Sequence, residues 1–138
     1  MVERILDKGN IIAIIIPSDF EKEGIEFFTP GELSQQLAYM KHPAGYHIVP
    51  HTHKKIDRNV QNTLETLFIR RGAVKIDFYS EKQEHIGERT VKTGDVVLLV
   101  SGGHAFTMLE QTEMIEVKQG PYAGNLDKVR FEDPHHGR

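Results

Sequence analysis

Two histidines separated by a single residue are the first group in this chain whose types and spacing can bind a metal ion. His51 and His53 end a segment that begins at Gly45. If this segment is a β-strand, residues two apart point to the same side, so both imidazoles reach one point in space. Glu65 opens a second strand-like run, which ends at Gly72, where a tight turn is needed. Two imidazoles and a carboxylate on adjacent strands would make a site for a divalent metal ion.

A further histidine comes from a second segment. The apolar run Val96–Val100 is followed by a serine and two glycines, and His104 stands just past this turn, at the start of another predicted strand. The two segments occur in order along the chain but are separated in sequence. Their side chains can therefore meet only through the tertiary fold.

Together the two segments resemble the paired motifs of the cupin superfamily. The first motif matches in the spacing from Gly45 to His51, between the two histidines, and from Glu65 to Gly72. It differs in the length between His53 and Glu65, where eleven residues intervene and cupins have three or four. In the second motif Val100 stands where cupins have proline, and one residue instead of two separates the following glycine from the histidine.

The resemblance implies a fold, a ligand set and a cofactor. The fold would be all-β, a cupin-type double-stranded β-helix barrel of the jelly-roll kind. The cofactor would be a divalent metal ion, and imidazole and carboxylate ligands leave open whether it is Zn, Mn, Fe, Ni or Co. The ligands implied by the motif positions are His51, His53, Glu65 and His104.

Composition places the chain among globular proteins and excludes several classes of partner. Its 138 residues suit a single domain spanning 1–138, and 38% of them are hydrophobic against 27% charged. A net charge of −3 offers no basic surface for nucleic acid. The absence of cysteine excludes disulfides and thiolate chemistry. The longest apolar run, Ile11–Ile16, is too short to cross a bilayer, and no targeting segment is recognised, so we expect a cytoplasmic protein without a membrane partner.

Short strands must position the candidate ligands. Apolar runs of four to eight residues recur between turn-forming residues, and no segment shows a helical period, which is typical of a sandwich or barrel. We predict a hairpin around Gly72, an edge strand over Ile86–Lys92, and a loop over Lys54–Thr63 near the mouth of the site. The predicted strands are Val2–Leu6, Ile11–Ile16, Ile25–Phe28, Gln35–Lys41, Gly45–His53, Glu65–Arg71, Ala73–Tyr79, Ile86–Lys92, Val96–Val100, Ala105–Leu109 and Met114–Lys118.

The N-terminal strands carry a prediction about assembly. Lys8-Gly9-Asn10 separates two apolar runs and predicts a hairpin. The unbroken isoleucines of Ile11–Ile16 indicate a strand that is buried on both faces or covered by a second subunit. By resemblance to cupins that pair through such strands, residues 1–16 would form the contact of a homodimer.

The C-terminal tail, residues 119–138, together with the strand before it, resembles the end of type II phosphomannose isomerase domains. Asn125 and Leu126 replace an acidic pair of that family, and the family's compact histidine run is missing, so mannose 6-phosphate is not implied as the substrate. The resemblance implies an isomerase or epimerase of a sugar or sugar phosphate. The matching residues are Ile115, Glu116, Val117, Gly120, Tyr122, Gly124, Asp127, Arg130, Phe131, Glu132, Asp133, Gly137 and Arg138.

Roles for the remaining candidates follow from that chemistry. A metal-bound carbonyl would lose a neighbouring proton to His47 or Glu116. Arg130 would bind an anionic group of the substrate, since guanidinium groups bind oxyanions bidentately. Tyr39 is a candidate for either a substrate contact or a core residue. Three alternatives stay open: an Fe(II) dioxygenase, a metal-independent nucleotide-sugar ketoisomerase, and a non-catalytic binding protein for a small molecule.

Overall fold

A computed structural model describes residues 1–134, and over that range the protein is all-β. The one helical element in the range is a single 3-10 turn at Gly124–Leu126, so none of its helices is long and apolar enough to cross a membrane. Ten strands are formed: β1 (Glu3–Asp7), β2 (Asn10–Ile16), β3 (Gly24–Phe27), β4 (Ala38–Lys41), β5 (Glu65–Arg71), β6 (Ala73–Tyr79), β7 (His85–Lys92), β8 (Val96–Leu99), β9 (Gly103–Met108) and β10 (Glu113–Lys118).

The strands form three antiparallel sheets. Five strands make the largest sheet, in the order β1-β2-β8-β5-β10, and three strands make a second sheet, β7-β6-β9. The hairpin β3-β4 is the third. Across the described residues none of these sheets closes on itself. The prediction of an all-β fold is confirmed, whereas closure into a cupin barrel stays a prediction.

The main core lies between the five-stranded and three-stranded sheets. Phe78 and Ile76 of β6 are fully buried against Leu67 of β5 and Val97 of β8. Burying side chains of this size stabilises the fold by roughly 1.5–3 kcal/mol each. The alternation of side chains along β6 explains the arrangement, because Val74, Ile76 and Phe78 share one face of the strand.

A second core covers the outer face of the large sheet. Ile14 and Ile16 of β2 pack there with Leu98 and Phe28, while Ile15 of the same strand faces the main core. The β3-β4 hairpin and its flanking loops supply the cover. The isoleucine strand is therefore buried on both faces by its own chain, which is the first of the two alternatives predicted for it.

The predicted N-terminal hairpin is confirmed. Lys8 and Gly9 have φ angles of 49° and 84°, the left-handed pair that a two-residue turn of this type requires. β1 and β2 pair antiparallel on either side of it. The predicted edge position of Ile86–Lys92 is also confirmed, because β7 has β6 as its one neighbour in the three-stranded sheet.

The hairpin predicted around Gly72 is wrong. β5 pairs with β8 and β10, whereas β6 pairs with β7 and β9, so the chain passes from one sheet to the other at Gly72. Gly72 has φ +102°, and a Cβ there would lie 2.6 Å from the carbonyl oxygen of Gln111. A residue without a side chain lets the chain turn a corner against that neighbouring loop.

The strand predicted from Gly45 to His53 is also not formed. Residues 42–64 contain no strand, and residues 43–62 are exposed throughout. The alternating pattern is present, but no neighbouring strand pairs with it, and Pro50 lacks the N–H that a ladder needs. The predicted strand Gln35–Lys41 is shorter than expected and begins at Ala38.

Candidate acid–base site

Glu65 lies at the start of β5 with its side chain directed between the two sheets. Leu67 and Ile69 follow on the same face and belong to the main core. The Glu65 side chain is 13% exposed, so its carboxyl group is largely removed from water. His104, on β9 of the opposite sheet, places Nε2 3.6 Å from Glu65 Oε2. Two of the four predicted ligands are thus neighbours across the gap between the sheets.

Glu116 joins this pair from the neighbouring strand. In the β5–β10 register Glu116 is opposite Leu67 and Lys118 is opposite Glu65, so both side chains lie on the face that Glu65 uses. The negative charge of Glu116 lies close enough to Glu65 to raise the pKa of its carboxyl group.

The environment shifts the pKa values of Glu65 and His104 in opposite directions. Burial, followed by the neighbouring Glu116 carboxyl group, raises the pKa of Glu65 above its ordinary value, against the opposing effect of Lys118 and Lys128. Burial is also the main cause that lowers the pKa of His104, which favours the neutral imidazole. The site therefore combines two carboxyl groups, one of them with a raised pKa, and an imidazole whose pKa is lowered.

Lys118 supplies a positive charge at the edge of this group. Its Nζ lies 3.7 Å from Glu65 Oε1 and 3.2 Å from Asp127 Oδ2, and a hydrogen bond to Asp127 raises its pKa. Thr63 donates a hydrogen bond from Oγ1 to the other oxygen of Asp127. The ammonium group is thereby held beside the acid pair by a residue of the C-terminal tail.

The tail crosses the end of the sheets and packs on the strand that carries His104. The ring of Phe131 stacks edge to face on Tyr79, with centroids 5.0 Å apart, and Tyr79 donates a 2.8 Å hydrogen bond to Asp133. A Cβ on Gly103 would lie 3.1 Å from the Phe131 ring. A glycine before His104 is thus what lets the tail approach so closely.

The two histidines of the His-x-His pair lie elsewhere. His51 and His53 are on the exposed segment 43–62, with ring centroids 5.3 Å apart, and His51 Nδ1 is 2.9 Å from the carbonyl oxygen of Val49. Within residues 1–134 no group of three or more histidine and acidic side chains is placed to hold a metal ion. As they stand, the four predicted ligands form two separate pairs, which does not fit a single metal centre.

The other predicted site residues are also dispersed. His47 lies on the exposed segment 43–62, and Arg130 is exposed in the tail. Tyr39 packs edge to face on Phe20 in the second core, on the opposite face of the large sheet from Glu65. The structure thus brings together Glu65, His104 and Glu116. The last part of the tail, residues 135–138 with Arg138, lies outside the described residues.

Lys118, Asp127 and Thr63 are not among the residues predicted for the site. A signal for Lys118 was present, since it follows Glu116 by two residues in a predicted strand and must share its face. No local pattern marks Thr63 or Asp127, because their contact depends on the path of the tail.

Comparison with known proteins does not assign the chain to a family. No protein-family model matches the chain, and neither the curated proteins nor the solved structures yield a significant match.

Proposed function

We propose that this protein is an enzyme that transfers protons on a small carbohydrate, as an isomerase or epimerase of a sugar or sugar phosphate. The single observation that carries the proposal is that Glu65 and Glu116 present neighbouring carboxyl groups on one face of the sheet, beside His104. Pairs of titratable groups whose environments push their pKa values apart are characteristic of acid–base catalysis. The resemblance of the tail to sugar-isomerase domains supports carbohydrate as the substrate class.

The arrangement assigns each group a role. Glu116, the more exposed carboxylate, removes a proton from a carbon next to a carbonyl group. Glu65, whose pKa is raised by burial, donates a proton to the carbonyl oxygen, and an enediol results. In an isomerisation, Glu116 gives its proton to the former carbonyl carbon while Glu65 removes the proton of the other enediol hydroxyl group. In an epimerisation, water protonates the original carbon on its opposite face, Glu65 recovers its proton from the enediol oxygen, and Glu116 releases its proton to water. Lys118 stabilises the negative charge that develops on the oxygen.

The scaffold is part of the same proposal. Two facing antiparallel sheets with a site between them, near one end, are compatible with the jelly-roll barrel of cupins. The three-stranded sheet would then be extended by a further strand to close the barrel. We place the enzyme in the cytoplasm, a reducing compartment that suits a chain without cysteine.

Hydrogen–deuterium exchange tests the reaction class even while the substrate is unidentified. The protein is incubated in D₂O with a panel of aldoses, ketoses and their phosphates, and NMR follows deuterium uptake next to the carbonyl group. We expect uptake and interconversion with at least one compound, and a loss of about 10²-fold or more in Glu116→Gln. Glu113→Gln, on the same strand but at its exposed end, is the matched control. Equal rates in both variants, or no exchange with any compound, would contradict the proposal.

Metal binding is a second candidate function, favoured by the close pair His51 and His53 on the exposed segment. Calorimetric titration with Zn²⁺, Mn²⁺, Ni²⁺, Co²⁺ and anaerobic Fe²⁺ tests it. We compare the wild type with the double variants His51→Ala/His53→Ala and Glu65→Gln/His104→Ala. Loss of binding in both variants would indicate one centre assembled from all four residues. Loss in the histidine variant alone would restrict binding to that pair, and no binding to the wild type would remove the metal.

A further inference from the structure

One segment of the chain contains no buried or half-buried residue. All twenty residues from 43 to 62 are exposed. Tyr46, Ile48, Val49 and Ile56 among them keep 58%, 56%, 71% and 63% of their surface in water. Flexible linkers are poor in aromatic and β-branched residues, so this composition is unlike that of a linker. Exposed apolar side chains concentrated in one segment indicate a binding surface.

A second uncovered apolar surface lies on the edge of the large sheet. Phe68 of β5 and Ile115 of β10 are cross-strand neighbours, and Val117 stands two residues further along β10 on the same face. Their exposed fractions are 40%, 52% and 51%. We call these three residues the edge strip. β10 is the last strand of its sheet, so its outer row of backbone N–H and C=O groups has no strand partner among residues 1–134.

The exposed segment and the edge strip both have apolar residues at alternate positions. Tyr46 and Ile48 are two residues apart in an alternating stretch, as are Ile115 and Val117 on β10. An extended peptide added to a sheet edge aligns such pairs on one face while its backbone completes the ladder. The net charges are opposite as well, because the segment contains three basic residues and one acidic residue. β10 and the turn before it contain three acidic residues, Glu110, Glu113 and Glu116, and one basic residue, Lys118.

We infer that residues 45–49 of one molecule add as a sixth strand to β10 of a second copy of this chain, with Tyr46 and Ile48 against the partner's edge strip. The exchange is reciprocal, as a closed two-fold dimer requires. The segment extends from its own chain and leaves its own strip uncovered, so an identical strip on another molecule is the surface it meets. A specific interface needs roughly 1,000 Å² of buried surface, and the two-fold exchange doubles the area that a single segment would bury.

The opposite edge of the sheet is less suited to pairing. β1 contains a register shift between Ile5 and Leu6 and carries the charged residues Glu3, Arg4 and Asp7. Bulges and charges are the devices by which sheet edges avoid edge-to-edge contact. The interface at β10 therefore differs from the contact through residues 1–16 that the sequence predicts.

Oligomeric state gives the first test. We expect light scattering and sedimentation velocity to show a dimer for the wild type. The substitutions Ile48→Ser and Ile115→Ser should each raise the dissociation constant by about tenfold or more, because each removes a central apolar contact. Leu6→Ser is the matched control, since Leu6 is 54% exposed at the other edge. A monomeric wild type, or a dimer disrupted by Leu6→Ser and by neither of the other substitutions, would overturn the inference.

Cross-linking distinguishes exchange between two molecules from docking within one molecule. Because the natural chain has no cysteine, any disulfide must form between the introduced residues. Ile48→Cys and Ile115→Cys are prepared as separate proteins, mixed, and oxidised. A disulfide-linked heterodimer is the expected product, formed in excess over either homodimer. If the variant with both cysteines instead gives a monomeric internal disulfide and the mixture gives no heterodimer, the segment covers its own chain and the inference fails.

Discussion

Glu65 and His104 lie on different sheets, yet Glu65 Oε2 and His104 Nε2 are only 3.6 Å apart. Nothing in the chain between them determines this distance directly. It follows from the packing of β5 and β9 on the two sides of one core, so the chemistry of the site depends on the alignment of two sheets. Substitutions in that core should therefore change this distance as well as stability.

The buried acid of Glu65 makes stability depend on pH in a defined direction. Because the folded state raises the pKa of Glu65 above 4.5, it holds the proton more tightly than the unfolded chain. The free energy of unfolding should therefore fall as pH rises from 4.5 through the folded-state pKa. Glu65→Gln removes this dependence, so the variant should gain stability relative to wild type across that range. Urea unfolding at several pH values measures the difference, and parallel curves would contradict the prediction.

His104 should have the opposite effect. Its pKa is lowered from 6.5, so the folded state disfavours the charged imidazole and the unfolded chain binds the proton more readily. The contribution of His104 to stability is present above pH 6.5 and is lost as pH falls through the folded-state pKa. His104→Gln should flatten the stability profile below pH 6.5. A profile that is unchanged by the substitution would show that the ring is solvated.

The main core should depend strongly on the ring of Phe78. This side chain is 0% exposed between the two sheets, and Phe78→Ala should lower the free energy of unfolding by about 3–5 kcal/mol. Phe27→Ala is the matched control, because Phe27 is 58% exposed and its truncation should cost less than about 1 kcal/mol. Chemical denaturation measures both, and equal losses would contradict the assigned core.

Gly102 should not tolerate a side chain. It has φ +69°, and a Cβ would lie 2.2 Å from the carbonyl oxygen of Tyr79. Gly102→Ala should cost about 2 kcal/mol or more, since a strained φ adds to the steric overlap. Gly31→Ala is the control because its Cβ would meet nothing within 4 Å. A thermal melt that ranks the two variants equally would refute this account of the turn before His104.

Asp95 should contribute to stability by linking the turn after β2 to the turn between β7 and β8. Its buried carboxylate accepts 2.8 Å hydrogen bonds from the backbone N–H groups of Ser18 and Lys92. Asp95→Ala leaves both donors unpaired and should cost about 2–4 kcal/mol, since each unsatisfied group costs about 1–3 kcal/mol. Asp95→Asn keeps an acceptor and should lose less. An alanine variant as stable as the asparagine variant would show that water replaces the carboxylate.

The individual strands were predictable because their signals are local. Period-two alternation, apolar runs and turn glycines act over a few residues, so ten of the predicted strands appear with small shifts at their ends. The pairing of strands was less predictable. A glycine such as Gly72 suits a hairpin and a corner equally well, and the outcome depends on strands distant in sequence that pair with β5 and β6.

The candidate site was likewise predictable only where the signal is local. Glu65 and His104 are identified by their types and positions, but the contribution of Glu116 depends on the β5–β10 register, which places it opposite Leu67. A shift of one residue would turn it to the other face. Conversely, the pattern from Gly45 to His53 predicts a strand that finds no partner within the described chain. Local preference alone does not form a strand when no neighbouring edge accepts its hydrogen bonds.

The order of strands in the large sheet also affects how the chain can fold while it is being translated. β2 is completed among the first sixteen residues, yet β8, which pairs with it, ends at Leu99. Until then β2 can pair with β1 alone, and its isoleucines remain exposed to aggregation during translation. Synthesis of this chain should therefore be sensitive to chaperone depletion and to the speed of elongation, even though the finished molecule buries those residues on both sides.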